Sequence, residues 1–206
     1  MPSSLHRTAV RLRPYEQQDE QSWLRCRALS FLDSQYYDDV RTAHPAPSPE
    51  QGETVSWVAV DAQASDVVGI LEVEVGQEGT DESHLATIDT VAVHPDWREH
   101  GIASALLDQV MLLLPSQVTE LDAWTREDAA ARSWYRSRGF ELDQEYLHVY
   151  QSWDETTPGL TVMMVRSGSS GESDSRTDRR FGCLVWDLSA RSGTATHATG
   201  QVFVTS

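Results

Sequence analysis

The 206-residue sequence contains no lysine and no asparagine. All 16 basic residues are therefore arginines, and they face 32 acidic residues, which gives a formal net charge of −16. A chain this acidic repels a phosphate backbone, so broad binding to nucleic acid is not expected. The acid excess favours a salt-adapted protein whose hydrated carboxylate surface keeps it in solution. An acidic protein encoded by a GC-rich genome is the alternative.

Cysteine is scarce, and long apolar runs are absent. Cys26 and Cys183 fit neither a disulfide framework nor a zinc motif. The seven histidines show no H-x-x-x-H spacing, so no metal site is expected. No stretch of 18 apolar residues exists, and the first 14 residues lack the apolar segment of a signal peptide. We therefore expect a cytoplasmic protein that does not bind membranes.

Hydrophobic patterning predicts strands and helices that alternate along residues 8–150. Strands are predicted at Thr8–Arg13, Thr54–Val60, Val67–Val75, His84–Val93, Glu120–Trp124 and Phe140–Tyr150. Helices are predicted at Glu16–Leu29, Phe31–Val40, Ile102–Leu114 and Glu127–Arg138. Pro115 and Gly139 end the last two helices. This order predicts an α/β fold in which helices pack on a mixed sheet.

The pattern weakens after Tyr150. Two further strands are predicted at Leu160–Val165 and Phe181–Leu188, separated by a mobile Gly/Ser/Asp-rich loop at 167–178. We expect one domain over 5–188 and a polar C-terminal tail over 189–206. Within that tail, the apolar residues at 201–204 leave open a pairing with another strand.

The turn from Val93 into the following helix has the features of an anion site. A helix N-terminus presents unpaired backbone N–H groups and a partial positive charge. Gly101 lets a ligand approach the backbone, Ala103 is nearly as small, and Arg98 adds a forked cation. Together they suit a pyrophosphate. The P-loop and dinucleotide-binding motifs are both absent.

Two motifs carry a resemblance to a known family. The segment Val91–Ala103, VAVHPDWREHGIA, resembles the acetyl-CoA signature of the GCN5-related N-acetyltransferase (GNAT) superfamily, whose core is [QR]-x-x-G-x-[GA]. Downstream, Trp134–Phe140, WYRSRGF, is similar to the family's Y-x-x-x-G-F. With the element order, the resemblance covers about three quarters of the chain. It implies a GNAT fold: a mixed, mostly antiparallel sheet with a splay between two parallel strands and helices on both faces.

The resemblance also implies an acetyl-CoA-dependent N-acetyltransferase acting on a primary amine of a small molecule, peptide or protein. The backbone of Val91 and Val93 would pair with the pantetheine, and the Val91 amide would polarise the thioester carbonyl. The residues expected at the cofactor are Val91, Ala92, Val93, Arg98, Glu99, His100, Gly101, Ile102, Ala103 and Ser104. Glu99 and His100 stand where many relatives carry Arg or Lys, so we expect salt-dependent CoA binding.

The chemistry needs an acid for the leaving thiolate and a route for the amine proton. The resemblance places Tyr135 at the thiolate, whereas a ring that only packs against the sheet is the alternative. Asp89, Glu72 and Glu74 are the candidate bases, and water without a protein base is a further option. Alternation along the strand puts Asp89 on the face of Val91 and Val93.

The acceptor is expected between the early helices and the sheet. Tyr36, Tyr37 and Asp38 would line this position, with Trp124 across from them, and an acidic, aromatic lining suits a cationic amine. The alternative is that the tyrosines belong to the core and the aspartate to a solvated face. A CoA-binding regulatory module without catalysis is the competing function, and a homodimer is left open.

Overall fold

The computed structural model describes residues 9–32, 34, 36–37, 39–46, 52–126, 128–150, 162–166, 178–187 and 201–203. Side chains are described within these ranges up to residue 143 and at residue 184. The chain divides into two compact units, Met1–Leu121 with Asp187–Ser206, and Asp122–Trp186. Among the described helices, none is long and apolar enough to cross a membrane.

Nine strands, three α-helices and two short 3-10 helices make up the regular elements of the described residues. The strands are β1 Ala9–Pro14, β2 Thr54–Asp61, β3 Val67–Val75, β4 Leu85–Val93, β5 Glu120–Arg126, β6 Glu141–Tyr150, β7 Val162–Arg166, β8 Asp178–Asp187 and β9 Gln201–Phe203. The helices are α1 Glu20–Leu32, α2 Ile102–Met111 and α3 Ala129–Ser137.

The first unit is built on an antiparallel sheet in the order β9-β1-β2-β3-β4. The start of β5 lies beside the start of β4, because the backbone N–H groups of Thr119 and Glu120 both donate to the carbonyl of His84. The two strands therefore run in parallel, as the fold class requires.

Helices cover both faces of this sheet. Ile70 packs in one cluster with Trp23 and Cys26 of α1. Gly69, the preceding residue on β3, faces α2 so closely that a Cβ there would lie 2.6 Å from Ile102 Cγ2. Since neighbouring strand residues point to opposite faces, Glu72 shares the α1 face with Ile70. This alternation along β3 determines which side chains meet at the candidate site.

In the second unit, β6 pairs with β7 and β8, both antiparallel. Asp128 is the N-cap of α3, and its side chain accepts hydrogen bonds from the N–H groups of Ala130 and Ala131. The helix ends before Gly139, whose φ of 94° gives the left-handed conformation common after helices. The predicted helix-ending glycine is therefore confirmed.

The α/β GNAT fold class is confirmed, but the separate helix predicted at Phe31–Val40 is wrong. Helix α1 instead continues to Leu32, because neither proline nor glycine interrupts the run beyond Leu29 and Ser30 is buried within it. The described residues that follow form bends and turns. The predicted helix at Ile102–Leu114 ends earlier, at Met111, since Pro115 disfavours helical backbone just before it.

The C-terminal segment contributes a strand to the first unit. Gln201–Phe203 form β9, which pairs antiparallel with β1, so the pairing left open for the tail occurs. Of the predicted loop at 167–178, only Asp178 is described, and it begins β8. The predicted domain limits of 5–188 stay a prediction.

Candidate functional site

The turn after β4 leads into an uncovered helix N-terminus. Gly101 is the N-cap of α2 in a left-handed conformation, with φ of 74°, and no side chain caps it. A Cβ built at Gly101 would meet no atom within 4 Å. Glu99 also has a positive φ of 64°, which is uncommon for a residue other than glycine. The backbone of this turn is thus shaped to leave space before the helix dipole, as an anion site requires.

Arg98 connects this turn to α1. Its Nη2 donates a 2.9 Å hydrogen bond to the carbonyl of Ser30, near the C-terminal end of α1, where a cation is favourable. His100 Nδ1 lies 2.6 Å from the carbonyl oxygen of Arg98. The predicted contact of Arg98 with a pyrophosphate stays a prediction, and in this arrangement the guanidinium also holds the turn in place.

A β-bulge interrupts β4 at Asp89. Glu72 of β3 is opposite Thr90, whereas Val73 is opposite Ile88, so Asp89 is the extra residue. Strict alternation, which placed Asp89 on the face of Val91, therefore does not hold here. The Asp89 carboxylate instead accepts a hydrogen bond from Thr90 Oγ1 at 2.8 Å. Bulges of this kind bend a strand and redirect a side chain, and they are frequent beside active sites.

Glu72 lies in the middle of β3 and is only 1% exposed. Its Oε1 is 2.8 Å from His44 Nε2, and its Oε2 is 3.7 Å from Arg41 Nη1. Burial raises the pKa of Glu72 to about 7, and the nearby Asp89 carboxylate adds to the rise. A carboxyl group with a pKa near neutrality can both take up and release a proton under ordinary conditions.

Arg41 links the two carboxylates on this face. Its Nη2 lies 3.0 Å from Asp89 Oδ2, while Nη1 faces Glu72. The guanidinium opposes the rise in the pKa of Glu72, yet burial outweighs it. The two acids therefore differ in environment, since Asp89 is exposed at the bulge and Glu72 is enclosed.

His44 covers Glu72 from the segment at 39–46. Its ring stacks on Tyr15 with centroids 3.8 Å apart and meets Trp23 edge-on at 4.9 Å. The His44 backbone N–H donates to Glu20 Oε1 at 3.3 Å. Burial lowers the pKa of His44, so the ring favours its neutral form. Two aromatic rings thus hold one imidazole against one carboxyl group.

A cavity of about 920 Å³ opens next to this cluster. Tyr15, His44 and Ser56 line it on the side of the cluster, and Leu113 with Pro115 line it from beyond α2. Ser56 Oγ is 3.3 Å from His44 Nε2 and 3.5 Å from Glu72 Oε1. The Glu72–His44 pair is therefore connected to a cavity by a hydroxyl group.

The remaining predicted residues are distributed over both units. Glu74 is half-buried two residues beyond Glu72. Tyr36 packs against Phe31 with centroids 5.4 Å apart, and Tyr37 is 58% exposed. Asp38 lies outside the described residues.

The predicted residues of the second unit are Tyr135 and Trp124. Tyr135 is buried, and its ring meets those of Trp134 and Phe140 edge-on. Trp124 is 43% exposed. Their predicted roles, at the leaving thiolate and the acceptor, stay predictions.

Sequence patterns did not indicate His44, Arg41 or Tyr15. The proline-rich stretch that begins at His44 predicts only a loop, and Tyr15 follows a strand-ending proline. Their position against Glu72 depends on contacts between residues that are 28 to 57 positions apart in the sequence. In the sequence, the one local feature that points to these three residues is His44, a histidine directly before a proline in a predicted loop.

Comparison with known proteins shows that this region is similar to a known family. Residues 52–142 match the family model described as acetyltransferase (GNAT) domain. That segment contains Glu72, Asp89, Gly101 and Tyr135. A mycothiol acetyltransferase from Sanguibacter keddieii is 30% identical over 118 residues, which cover 51% of this chain. The match spans 36% of that relative's length.

Solved structures show the same fold. The ribosomal-protein-S18-alanine N-acetyltransferase of Escherichia coli aligns with a TM-score of 0.54 at 18% identity, over 92% of this chain and 99% of the other. NAA60 of Arabidopsis thaliana, in complex with a bisubstrate analogue, aligns with a TM-score of 0.55 at 16% identity, over 86% and 97%. Residues 52–142, less than half of the chain, are thus similar to the GNAT acetyltransferase domain, and the solved structures share its fold.

Proposed function

We propose that this protein transfers the acetyl group of acetyl-CoA to a primary amine. The observation that carries the proposal is the enclosed Glu72 carboxyl group, which lies beside the bulge of β4 and has its pKa raised to about 7. The similarity of residues 52–142 to the GNAT acetyltransferase domain supports this reaction class, and the carboxyl group of Glu72 is a base suited to it. The name of the mycothiol acetyltransferase relative agrees with acetyl transfer.

Glu72 suits the role of base better than Asp89 or Glu74. The thioester supplies an activated acetyl group, and the attacking amine must lose a proton. A base with a pKa near the working pH removes that proton most efficiently. Asp89 lies at an exposed position, where Arg41 and Thr90 already contact its carboxylate. The enclosed Glu72 carries the raised pKa, so it is assigned the proton transfer.

Acetyl-CoA would be held at the turn after β4. The N–H groups at the start of α2 would receive the pyrophosphate in the open space before Gly101, and Arg98 would support the turn from α1. In the same proposal the backbone of Val91 and Val93 pairs with the pantetheine. Tyr135 protonates the leaving sulfur and regains its proton from solvent, while the proton that Glu72 takes from the amine is released to solvent, so no net proton is gained or lost by the protein.

The acceptor side is proposed to include Tyr36, Tyr37 and Trp124. Exposed aromatic rings such as Tyr37 provide surface for a cationic or apolar amine. The negative charge of Asp89 at the bulge, partly balanced by Arg41, adds an attraction for a cation.

Binding and turnover can be tested in two steps. Thermal unfolding with and without acetyl-CoA, at low and at molar salt, measures binding. Thiol release is then followed with a panel of small primary amines and peptides with free N-termini. We expect stabilisation by acetyl-CoA and thiol release with at least one amine. Stabilisation without thiol release would favour the non-catalytic CoA-binding module, and no stabilisation at either salt would contradict the proposal.

A further inference from the structure

The two ring nitrogens of His44 have different partners, and these partners determine where its protons lie. Nδ1 is 3.0 Å from the carbonyl oxygen of Pro45. A carbonyl oxygen only accepts hydrogen bonds, so Nδ1 must carry a hydrogen atom. In the neutral ring, Nε2 is then the nitrogen with the free electron pair.

This lone pair faces Glu72. Nε2 and Glu72 Oε1 are 2.8 Å apart, which is a hydrogen-bond distance. Two acceptors form no hydrogen bond without a proton, so the hydrogen-bonded form of the pair holds one proton between them. This proton is carried either by Glu72 beside a neutral ring or by Nε2 of a charged ring beside a carboxylate. Both arrangements leave the pair with no net charge.

We propose that Glu72 and His44 form a single acid–base unit with one mobile proton, in which the Pro45 carbonyl fixes the ring and His44 passes the proton from Glu72 towards the cavity. This inference rests on the proposed function, because it assigns Glu72 as the base of that reaction. His44 is a positioning residue that acts through Glu72.

The proton has a defined route. Glu72 takes it from the amine nitrogen, and the pair then holds it between Oε1 and Nε2. Ser56 Oγ lies 3.3 Å from Nε2 and lines the cavity. Its hydroxyl group can therefore accept a hydrogen bond from the protonated Nε2 and donate one to water in the cavity. The released proton enters solvent, and Glu72 returns to its carboxylate form for the next amine.

Charged groups surround the unit from every packed element. Arg27 and Glu20 of α1, Asp89 of β4 and Arg41 of the 39–46 segment act on Glu72 or His44. Two of these groups are cations and two are anions, so their effects partly cancel. Burial is the largest contribution for both members, and it favours the form of the pair that carries no net charge.

The directions of the two pKa shifts agree with a shared proton. The pKa of Glu72 is raised to about 7 and that of His44 is lowered. Within a neutral pair, the proton is therefore favoured on the carboxyl group. When the pair loses it, the carboxylate faces the Nε2 lone pair, and Ser56, Arg41 and Thr90 are the groups that can stabilise the carboxylate.

The test is nitrogen NMR of the full chain labelled with ¹⁵N-histidine, recorded from pH 5.5 to 9 without acetyl-CoA or amine. The His44→Gln variant identifies the His44 signals, and His84→Gln is the control because His84 is exposed. We expect Nδ1 to stay protonated throughout, while the Nε2 signal shifts with a midpoint within about one pH unit of 7. In Glu72→Gln this step should disappear from the range pH 6 to 8.

Two results would overturn the inference. One is a ring that carries its proton on Nε2 rather than Nδ1 at high pH. The other is a His44 titration that Glu72→Gln leaves unchanged. Because the NMR experiment needs no substrate, its failure with intact thiol release would remove the shared-proton unit and keep the acetyltransferase. An intact titration without thiol release would keep the shared-proton unit and remove the acetyltransferase.

Discussion

The two parts of the candidate site, the Arg98–Gly101 turn and the Glu72–His44 pair, are built in opposite ways. The turn is contiguous in sequence, exposed and open before a helix. The pair is assembled from a strand and a distant loop, enclosed by aromatic rings and connected to a cavity. A site for a phosphate group needs backbone amides and space, whereas a tuned base needs exclusion of water. The contrast predicts that changes at the turn alter binding and changes at the pair alter turnover.

Gly101→Glu should give the largest effect. The side chain would project into the open space before α2 and bring a negative charge to the proposed pyrophosphate site. We expect acetyl-CoA affinity to fall by at least about 100-fold, a loss on the order of 2.7 kcal/mol. Calorimetric titration with acetyl-CoA measures it.

Gly79→Glu is the matched control for this variant. Gly79 also has a positive φ, 84°, and also has no atom within 4 Å of a built Cβ. The backbone strain of about 1–2 kcal/mol is then common to both variants. Equal acetyl-CoA affinities in the two variants would show that the turn does not bind the cofactor.

Glu72→Gln should lower turnover, which depends on the Glu72–His44 pair, without changing binding at the Arg98–Gly101 turn. The amide keeps the shape and can donate to His44 Nε2, but it cannot take a proton from an amine. We expect turnover at pH 8 to fall by about 100-fold with unchanged acetyl-CoA affinity. Steady-state thiol release measures it, with the exposed Glu78→Gln as control. If Glu74→Gln lowers turnover more than Glu72→Gln, the base has been misassigned.

Tyr135→Phe should lower turnover by a smaller factor, about 10-fold to 100-fold. The ring and its contacts with Trp134 and Phe140 remain, so folding and acetyl-CoA binding should be kept. Single-turnover thiol release, with the thermal unfolding midpoint as a check on folding, tests this. Unchanged turnover would mean that another group protonates the leaving thiolate.

The raised pKa of Glu72 also predicts how stability depends on pH. The folded chain binds this proton up to about pH 7, while the unfolded chain loses it near the ordinary glutamate pKa of 4.5. The contribution of the protonated carboxyl group is therefore full below pH 4.5 and is lost as the pH rises to about 7. We expect Glu72→Gln to be more stable than the wild type at pH 8 by on the order of 2 kcal/mol. Urea unfolding at pH 5 and pH 8 measures the difference, and an equal gain at both values would contradict it.

Arg41→Gln should give the smallest effect. Arg41 opposes the rise in the pKa of Glu72 from a partly exposed position, so its loss should raise that pKa further. We expect the pH profile of turnover to move to higher pH by about half a unit. Asp89→Asn removes the second cause of the rise and should move the profile the other way. Shifts in the same direction would argue against this electrostatic account.

The sequence indicated the turn much better than the pair. The turn depends on local rules for helix starts and small residues, so residues 98–103 indicate it when they are taken with the strand before them, the helix after them and the Trp134–Phe140 motif downstream. The fold order followed from periodicity, although the separate helix at Phe31–Val40 failed because no breaker ends α1 at Leu29. The bulge at Asp89 and the position of His44 depend on strand register and loop packing, which no local pattern reports.

The central claim is most directly tested by the pH dependence of acetyl transfer from ¹³C-acetyl-CoA to a primary amine, with the product detected by mass spectrometry. The wild type should form labelled product at a rate that rises through about pH 7 and levels off above it, because only the deprotonated Glu72 acts as base. Labelled product formed at a rate independent of pH between 6 and 8 would contradict the assignment of Glu72. No labelled product with any amine would contradict the acetyltransferase itself.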